Sequence, residues 1–182
     1  FTSRLEAGLR AAGDWGGLVI VGKAPVNQSS ATVEGLTNAV DYGTSAFATR
    51  DAADNSGTLQ YVRIEFAGIA LQPDKEINGL TLCAVGSGTT IDHIQVSYSG
   101  DDSFEWFGGT VNAKHLIAFC GLDDEFDTDY GFTGKVQFAL GVRNPRLADV
   151  STSNGFESDN DGSGTAAMPQ TAPVFSNVTL IG

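Results

Sequence analysis

The chain has 182 residues, enough for one domain with a substantial apolar core. It carries 22 acidic residues against ten lysines and arginines, a formal charge of −12. That balance excludes nucleic acid and anionic membrane surfaces as partners, because both are held by cationic side chains. Two cysteines with no C-x-x-C pair give neither a disulfide framework nor a zinc site, and no apolar run approaches the roughly 18 residues of a membrane-spanning helix. With 23 glycines and five prolines, the chain favours tight turns over long helices.

Residues 4–12 carry a short helix-like pattern, and residues 15–22 an apolar run fenced by glycines that reads as a buried strand. From Asn27 to Asn55 the composition turns polar, which predicts a long surface excursion with a short strand at residues 32–35. After Gly57 the chain repeats itself. Segments opening at Tyr61, His93, His115, Gln137 and Asn177 align, and the middle three start at 93, 115 and 137, two steps of 22 residues. Aligned this way, Val62, Ile94, Leu116, Phe138 and Val178 form one inward column. Ile64, Val96, Ala118, Leu140 and Leu180 form the next.

A second strand follows the first in each repeat. Residues 102–105, 124–127 and 154–157 place an amide or carboxylate two positions before a phenylalanine and an acid directly after it, with a weaker copy at Asn78 to Thr81. Alternation puts Phe104, Phe126 and Phe156 on one face and Glu105, Asp127 and Glu157 on the other. Two short strands with their turns leave no room for a crossover helix in 22 residues, so the pattern predicts an all-β fold, a parallel β-solenoid. Residues 1–182 would form one such domain, a fragment of a longer solenoid, with coils of about 22 residues and insertions near Leu71 and Gly162.

Stacked coils bring like acids about 5 Å apart, where two carboxylates repel by roughly 3 kcal/mol at an effective dielectric of 20. Asp124, Asp127, Asp129, Glu157 and Asp159 are candidate ligands for Ca²⁺, which takes six to eight oxygens; the alternative is a hydrated acidic edge. Glu105, Asp127 and Glu157 are candidate catalytic carboxyls for polysaccharide hydrolysis, with Glu105 and Glu157 as a pair two coils apart. Lys114, Lys135, Arg143 and Arg146 are the few bases open to a β-eliminating lyase. Trp106 beside Asp101 and Asp102 would make a sugar-stacking platform if exposed. His93 and His115 share a column on adjacent coils, which suits a metal or an outward polar ladder. Cys120 reads as a core thiol, unbridged to Cys83.

Residues 13–20, 76–82, 86–91 and 101–112 together resemble a family of secreted or lipid-anchored surface proteins of Bacteroidota and marine bacteria. The resemblance implies a right-handed, pectin-lyase-like β-helix, an extracellular or cell-surface location, and further coils ahead of the Phe1-Thr2-Ser3 segment; it implies no assigned activity. Three functions are compatible with these readings. One is a module presenting an acidic, aromatic-flanked face to a glycan or cell-envelope component with Ca²⁺. The others are a polysaccharide-degrading enzyme and a structural segment of a larger surface protein.

Overall fold

The computed structural model describes residues 1–36, 41–42, 50–72, 75–150 and 152–182. Among them are twelve strands and no helix: β1 (Leu18–Val21), β2 (Thr58–Glu65), β3 (Ala70–Gln72), β4 (Lys75–Glu76), β5 (Leu80–Cys83) and β6 (Thr90–Ser97), then β7 (Phe104–Phe107), β8 (Asn112–Phe119), β9 (Phe126–Asp129), β10 (Lys135–Val142), β11 (Phe156–Ser158) and β12 (Val174–Ile181). The short strands stack as β1-β5-β7-β9-β11 and the long ones as β12-β10-β8-β6-β2, parallel throughout, while β3 and β4 form a small antiparallel hairpin. This is a parallel β-helix: each turn of the chain contributes one rung to each of the two large sheets.

Each long strand bends in its middle. Tyr61, His93, His115, Phe138 and Asn177 all take φ between 54° and 62°, the left-handed region that non-glycine residues adopt at a cost of about 1 kcal/mol or more. The bend interrupts strict alternation, so Ile91 and Ile94, three residues apart, both point inward. Two further corners repeat the device, at Ala84, Gly108 and Tyr130, and at Phe66, Tyr98 and Cys120.

The interior is built from the expected columns. Leu18, Leu80, Phe104, Phe126 and Phe156 pair in register across the short-strand sheet. Phe104 and Phe126 are fully buried and stack with ring centroids 5.6 Å apart. Opposite them, Val62, Ile94, Leu116, Ala139 and Val178 pair across the long-strand sheet.

Ala139, and not Phe138, completes that column. Gly141 likewise replaces Leu140 beside Ala118. Trp106 pairs with Thr128, an offset of 22, but Ala113 pairs with Val136, an offset of 23, so the turn between β9 and β10 holds one extra residue that a fixed period of 22 passes over. Phe138 therefore sits at the bend, half exposed, stacked on His115.

Other expectations also change. Residues 4–12 form turns, and the residues that flank them are held on β2: the Phe1 amino group donates to Arg63 O at 2.8 Å, Glu65 N donates to Phe1 O at 3.1 Å, and Trp15 Nε1 donates to Glu65 O at 2.9 Å. In place of a strand at residues 32–35 there is an isolated antiparallel bridge from Thr32 to Asp41. The expected surface excursion lies partly outside the described residues; its described part buries Val26, Ala31, Val33 and Tyr42 against Cys83 and Phe107 on the outer face of the short-strand sheet. Cys120 stands at a corner, only partly buried, in line with Arg143 rather than Val142: its N–H donates to Val142 O, just as Arg143 N–H donates to Ile181 O.

The register makes a sharp prediction. Leu116→Ala should cost about 2–5 kcal/mol by opening a cavity in a fully packed column. Phe138→Asn, which places at the bend the residue already tolerated there as Asn177, should cost under about 1 kcal/mol. Urea denaturation of the two variants measures both, and equal losses would contradict the pairing of Ala139 with Leu116.

Candidate functional site

The outward face of the short-strand sheet changes character along its length. Val19, Thr81, Glu105, Asp127 and Glu157 are in register, apolar and hydroxyl-bearing on β1 and β5 and acidic on β7, β9 and β11. One corner earlier, Asn78, Asp102, Asp124 and Asn154 follow one another up the same edge, and here the acids have a structural task. The peptide N–H of Asp124 donates to Asp102 Oδ1 at 2.9 Å, and that of Asn154 donates to Asp124 Oδ1, so each carboxylate holds an amide of the next coil.

These columns open onto a cleft of about 620 Å³ lined by ten carboxylates: Glu34, Glu76, Asp101, Asp102, Glu105, Asp123, Asp124, Asp127, Asp149 and Glu157. Among the described residues, no lysine or arginine lines it. Its walls come from three places. Glu34 arrives from the segment packed on the sheet, Ala70 and Glu76 from the β3–β4 hairpin, and Asp149 and Val150 from the long connection between β10 and β11. Lys75, next to Glu76 in the chain, pairs with Glu34 at 3.0 Å.

Burial among like charges pushes these carboxyls upward. Burial is the first cause for each, and charge or hydrogen bonding adds to it. Asp101 is pushed up to about 7 with Glu76 and Asp123 nearby, and Asp124 up to about 8 by a hydrogen bond with Glu157. Asp127 is pushed up to about 6, although its hydrogen bond with Glu105 draws it back. Glu105 itself, next to the charges of Asp127 and Asp102, lies well above the carboxylate range, as does Asp102 beside Asp101. The Glu105 and Asp127 carboxyls are hydrogen-bonded to each other, and Asn78 Nδ2 donates to Glu105 Oε2.

Two sets of three acids bring one oxygen each within 4.8 Å of one another: Asp101, Asp102 and Asp123, and Asp102, Glu105 and Asp127. That is the span across an ion with oxygens at 2.3–2.6 Å. Buried oxygens without a hydrogen-bond partner stand beside the second set, Oδ1 of Asp127 and Oδ1 of Asn78. The donor set is all oxygen, which fits a hard divalent cation such as Ca²⁺ and would relieve the repulsion that keeps protons on these acids.

The candidates read from sequence divide accordingly. Glu105, Asp127 and Glu157, proposed for catalysis, all line the cleft, as do Asp101 and Asp102. Of the proposed metal ligands, Asp124, Asp127 and Glu157 line it; Asp129 and Asp159 do not. Asp129 lies two residues further along β9, pushed up to about 7 by burial, with Asp127, Asp159 and Asp161 as charged neighbours. Trp106 is excluded as a sugar platform: two residues after Phe104 it points inward with it, is fully buried, and stacks on Phe132 at 5.5 Å. The candidate lyase bases are elsewhere. Lys114 and Lys135 face a hollow on the long-strand sheet, Arg146 is exposed away from the cleft, and Arg143 is held by buried Glu125 at 2.7 Å.

A family model described as a pectate-lyase-like beta helix domain matches residues 1–182. The chain belongs to that family. No curated protein and no solved structure gives a significant match. The pectate-lyase-like assignment accounts for the ladder architecture of this β-helix domain; the cleft's composition is a property of its own side chains.

Glu34, Glu76 and Asp149 escaped sequence reasoning because they are outside the repeats and reach the cleft only through tertiary packing. The raised carboxyls give the β-helix domain an unusual pH profile. Each binds its proton more tightly when folded, so their contribution to stability is present at pH values below the unfolded carboxyl range near 4 and is lost as pH rises through about 6 to 8. In chelator-treated buffer the melting temperature should therefore fall between pH 5 and pH 8. Asp124→Asn, which keeps an oxygen for Asn154 N–H, should raise melting at pH 8 and change it little at pH 5. A melting temperature that climbs over this interval would contradict the burial of these acids.

Proposed function

We propose that the domain is a Ca²⁺-dependent binding module for a glycan or other cell-envelope component outside the cell. The convergence of ten carboxylates on one cleft without a lining lysine or arginine carries this reading. A cleft of that charge repels an acidic polymer until a cation is bound. Once Ca²⁺ is held by Asp102, Glu105 and Asp127, its remaining coordination positions can accept sugar hydroxyls or carboxylates, since the ion takes six to eight oxygens and three come from these side chains. The family's pectate-lyase-like frame, common among extracellular proteins, supports the location.

Hydrolysis is the second reading, favoured by the upward push that burial gives Glu105 and Asp124, the latter to about 8, as a general acid needs. Oxygens of Asp102, Glu105 and Asp127 within 4.8 Å are closer than the 6.5–9.5 Å that an inverting pair keeps. Glu105 and Glu157, two rungs apart and so separated by roughly 9.6 Å along the sheet, remain the pair to test. Release of reducing sugar that is lost in Glu105→Gln and Glu157→Gln would support that chemistry.

Binding by the folded state alone stabilises it by about 2.7 kcal/mol at a hundredfold excess over Kd, which for a chain of this size corresponds to roughly 5–10 °C in melting temperature. Ca²⁺ should produce such a rise, Mg²⁺ a smaller one, and NaCl at matched ionic strength little. Asp127→Asn should remove most of the Ca²⁺ response, and glycan-array binding should appear only with Ca²⁺ present. A shift reproduced in full by NaCl would reduce the cleft to a hydrated acidic surface.

A further inference from the structure

The left-handed bends of the long strands carry a second cluster, of different chemistry. His93 and His115 occupy the same bend on adjacent rungs, φ 55° and 54°, with their rings stacked at a centroid distance of 4.3 Å. Tyr61 continues the stack beyond His93 at 4.6 Å, and Phe138 beyond His115 at 5.1 Å. Both Nδ1 atoms face a single carboxylate oxygen: Oδ1 of Asp92 lies 2.9 Å from His93 and 2.7 Å from His115. The three atoms lie within 4.8 Å of one another, and none of these residues lines the carboxylate cleft.

We propose that Asp92, His93 and His115 form a site for a late first-row divalent metal ion, Zn²⁺ or Cu²⁺. Imidazole nitrogen at 2.0–2.1 Å and one carboxylate oxygen at 2.0–2.2 Å are the ordinary donors for such ions, and bonds of that length in a tetrahedral arrangement set ligand atoms about 3.3 Å apart, which a small swing of the half-exposed rings provides. In the metal-bound site each ligating Nδ1 carries no proton and the ring proton sits on Nε2, so the histidines bind as neutral imidazoles. The donors sit on a hydrogen-bonded sheet, which holds their backbones in place. Side-chain exposures of 40% and 42% for the histidines leave room for water on the open coordination positions. The neighbouring rungs show that the arrangement is local: Tyr61, Phe138 and Asn177 fill the same bend without an acid in the preceding position, where Gln60, Gln137 and Ser176 stand. The nitrogen donors also separate this site from the all-oxygen cleft, since imidazole favours Zn²⁺ and Cu²⁺ while carboxylates suit Ca²⁺.

The test is zinc titration by calorimetry in excess CaCl₂, added to compete for the carboxylates of the cleft, together with Cu²⁺ electron paramagnetic resonance. His93→Asn and His115→Asn are the variants of choice, because Asn177 already occupies this bend in the same backbone conformation; their metal-free melting temperatures serve as the folding control. One equivalent of zinc should bind, each variant should weaken it roughly tenfold or more, and the double variant should abolish it. The copper spectrum should show coupling to two nitrogens, falling to one in each single variant. Zinc affinity unchanged in variants that fold, no heat up to millimolar zinc, or a copper spectrum without nitrogen coupling would each overturn the site.

Discussion

Parallel pairing in strict register is the constraint from which everything else in this molecule follows. Each residue meets its counterpart one rung away, at roughly 4.8 Å, whether the meeting is favourable or not. For Phe104 on Phe126 it gives a stacked, fully buried interior. For Glu105 on Asp127 it gives two carboxyls that cannot both ionise cheaply, and burial together with the Asp127 charge pushes Glu105 well above the ordinary carboxylate range. Core and site are thus the same arrangement seen from the two faces of β7 and β9, separated by a single step along the strand.

The alternation that gave the phenylalanine and acid columns is local, and so it was legible in the sequence. Trp106 was legible too, since a residue two after Phe104 must share its face, and its burial obeys that rule. Phe138 was misplaced because periodicity assumes a constant coil. The bend adds a left-handed residue whose side chain belongs to neither alternating set, and the turn before β10 adds one residue more. The packing of Val26, Val33 and Tyr42 on the sheet, and the delivery of Glu34 to the cleft, depend on contacts between distant segments. No pattern within either segment announces them.

Chemistry is segregated around the solenoid. Oxygen donors gather outside the short-strand sheet, while nitrogen donors and exposed rings follow the bends of the long-strand sheet. Between them, at the corner leading from β10 towards β11, Arg143 spends its charge inward. One of its nitrogens meets Glu125 together with the carbonyl oxygens of Asp123 and Asn154, so this cation ties coils together and does not line the cleft. The breaking of such a buried pair leaves an uncompensated charge, which makes Arg143 a poor candidate for exchange.

The corners differ in length while the ladders do not. Successive connections from the short to the long strands run over residues 84–89, 108–111 and 130–134, and both sheets stay paired on either side of them. On the other side, two connections are much longer, one carrying the β3–β4 hairpin and one running over residues 143–155, and these wall the cleft with Glu76 and Asp149, while Glu34 comes from the long connection between β1 and β2. The ladder and the walls of the cleft are therefore set by different segments of the chain. Any one of these walls could be exchanged, and with it the shape and charge of the cleft, without altering one rung of the ladder beneath.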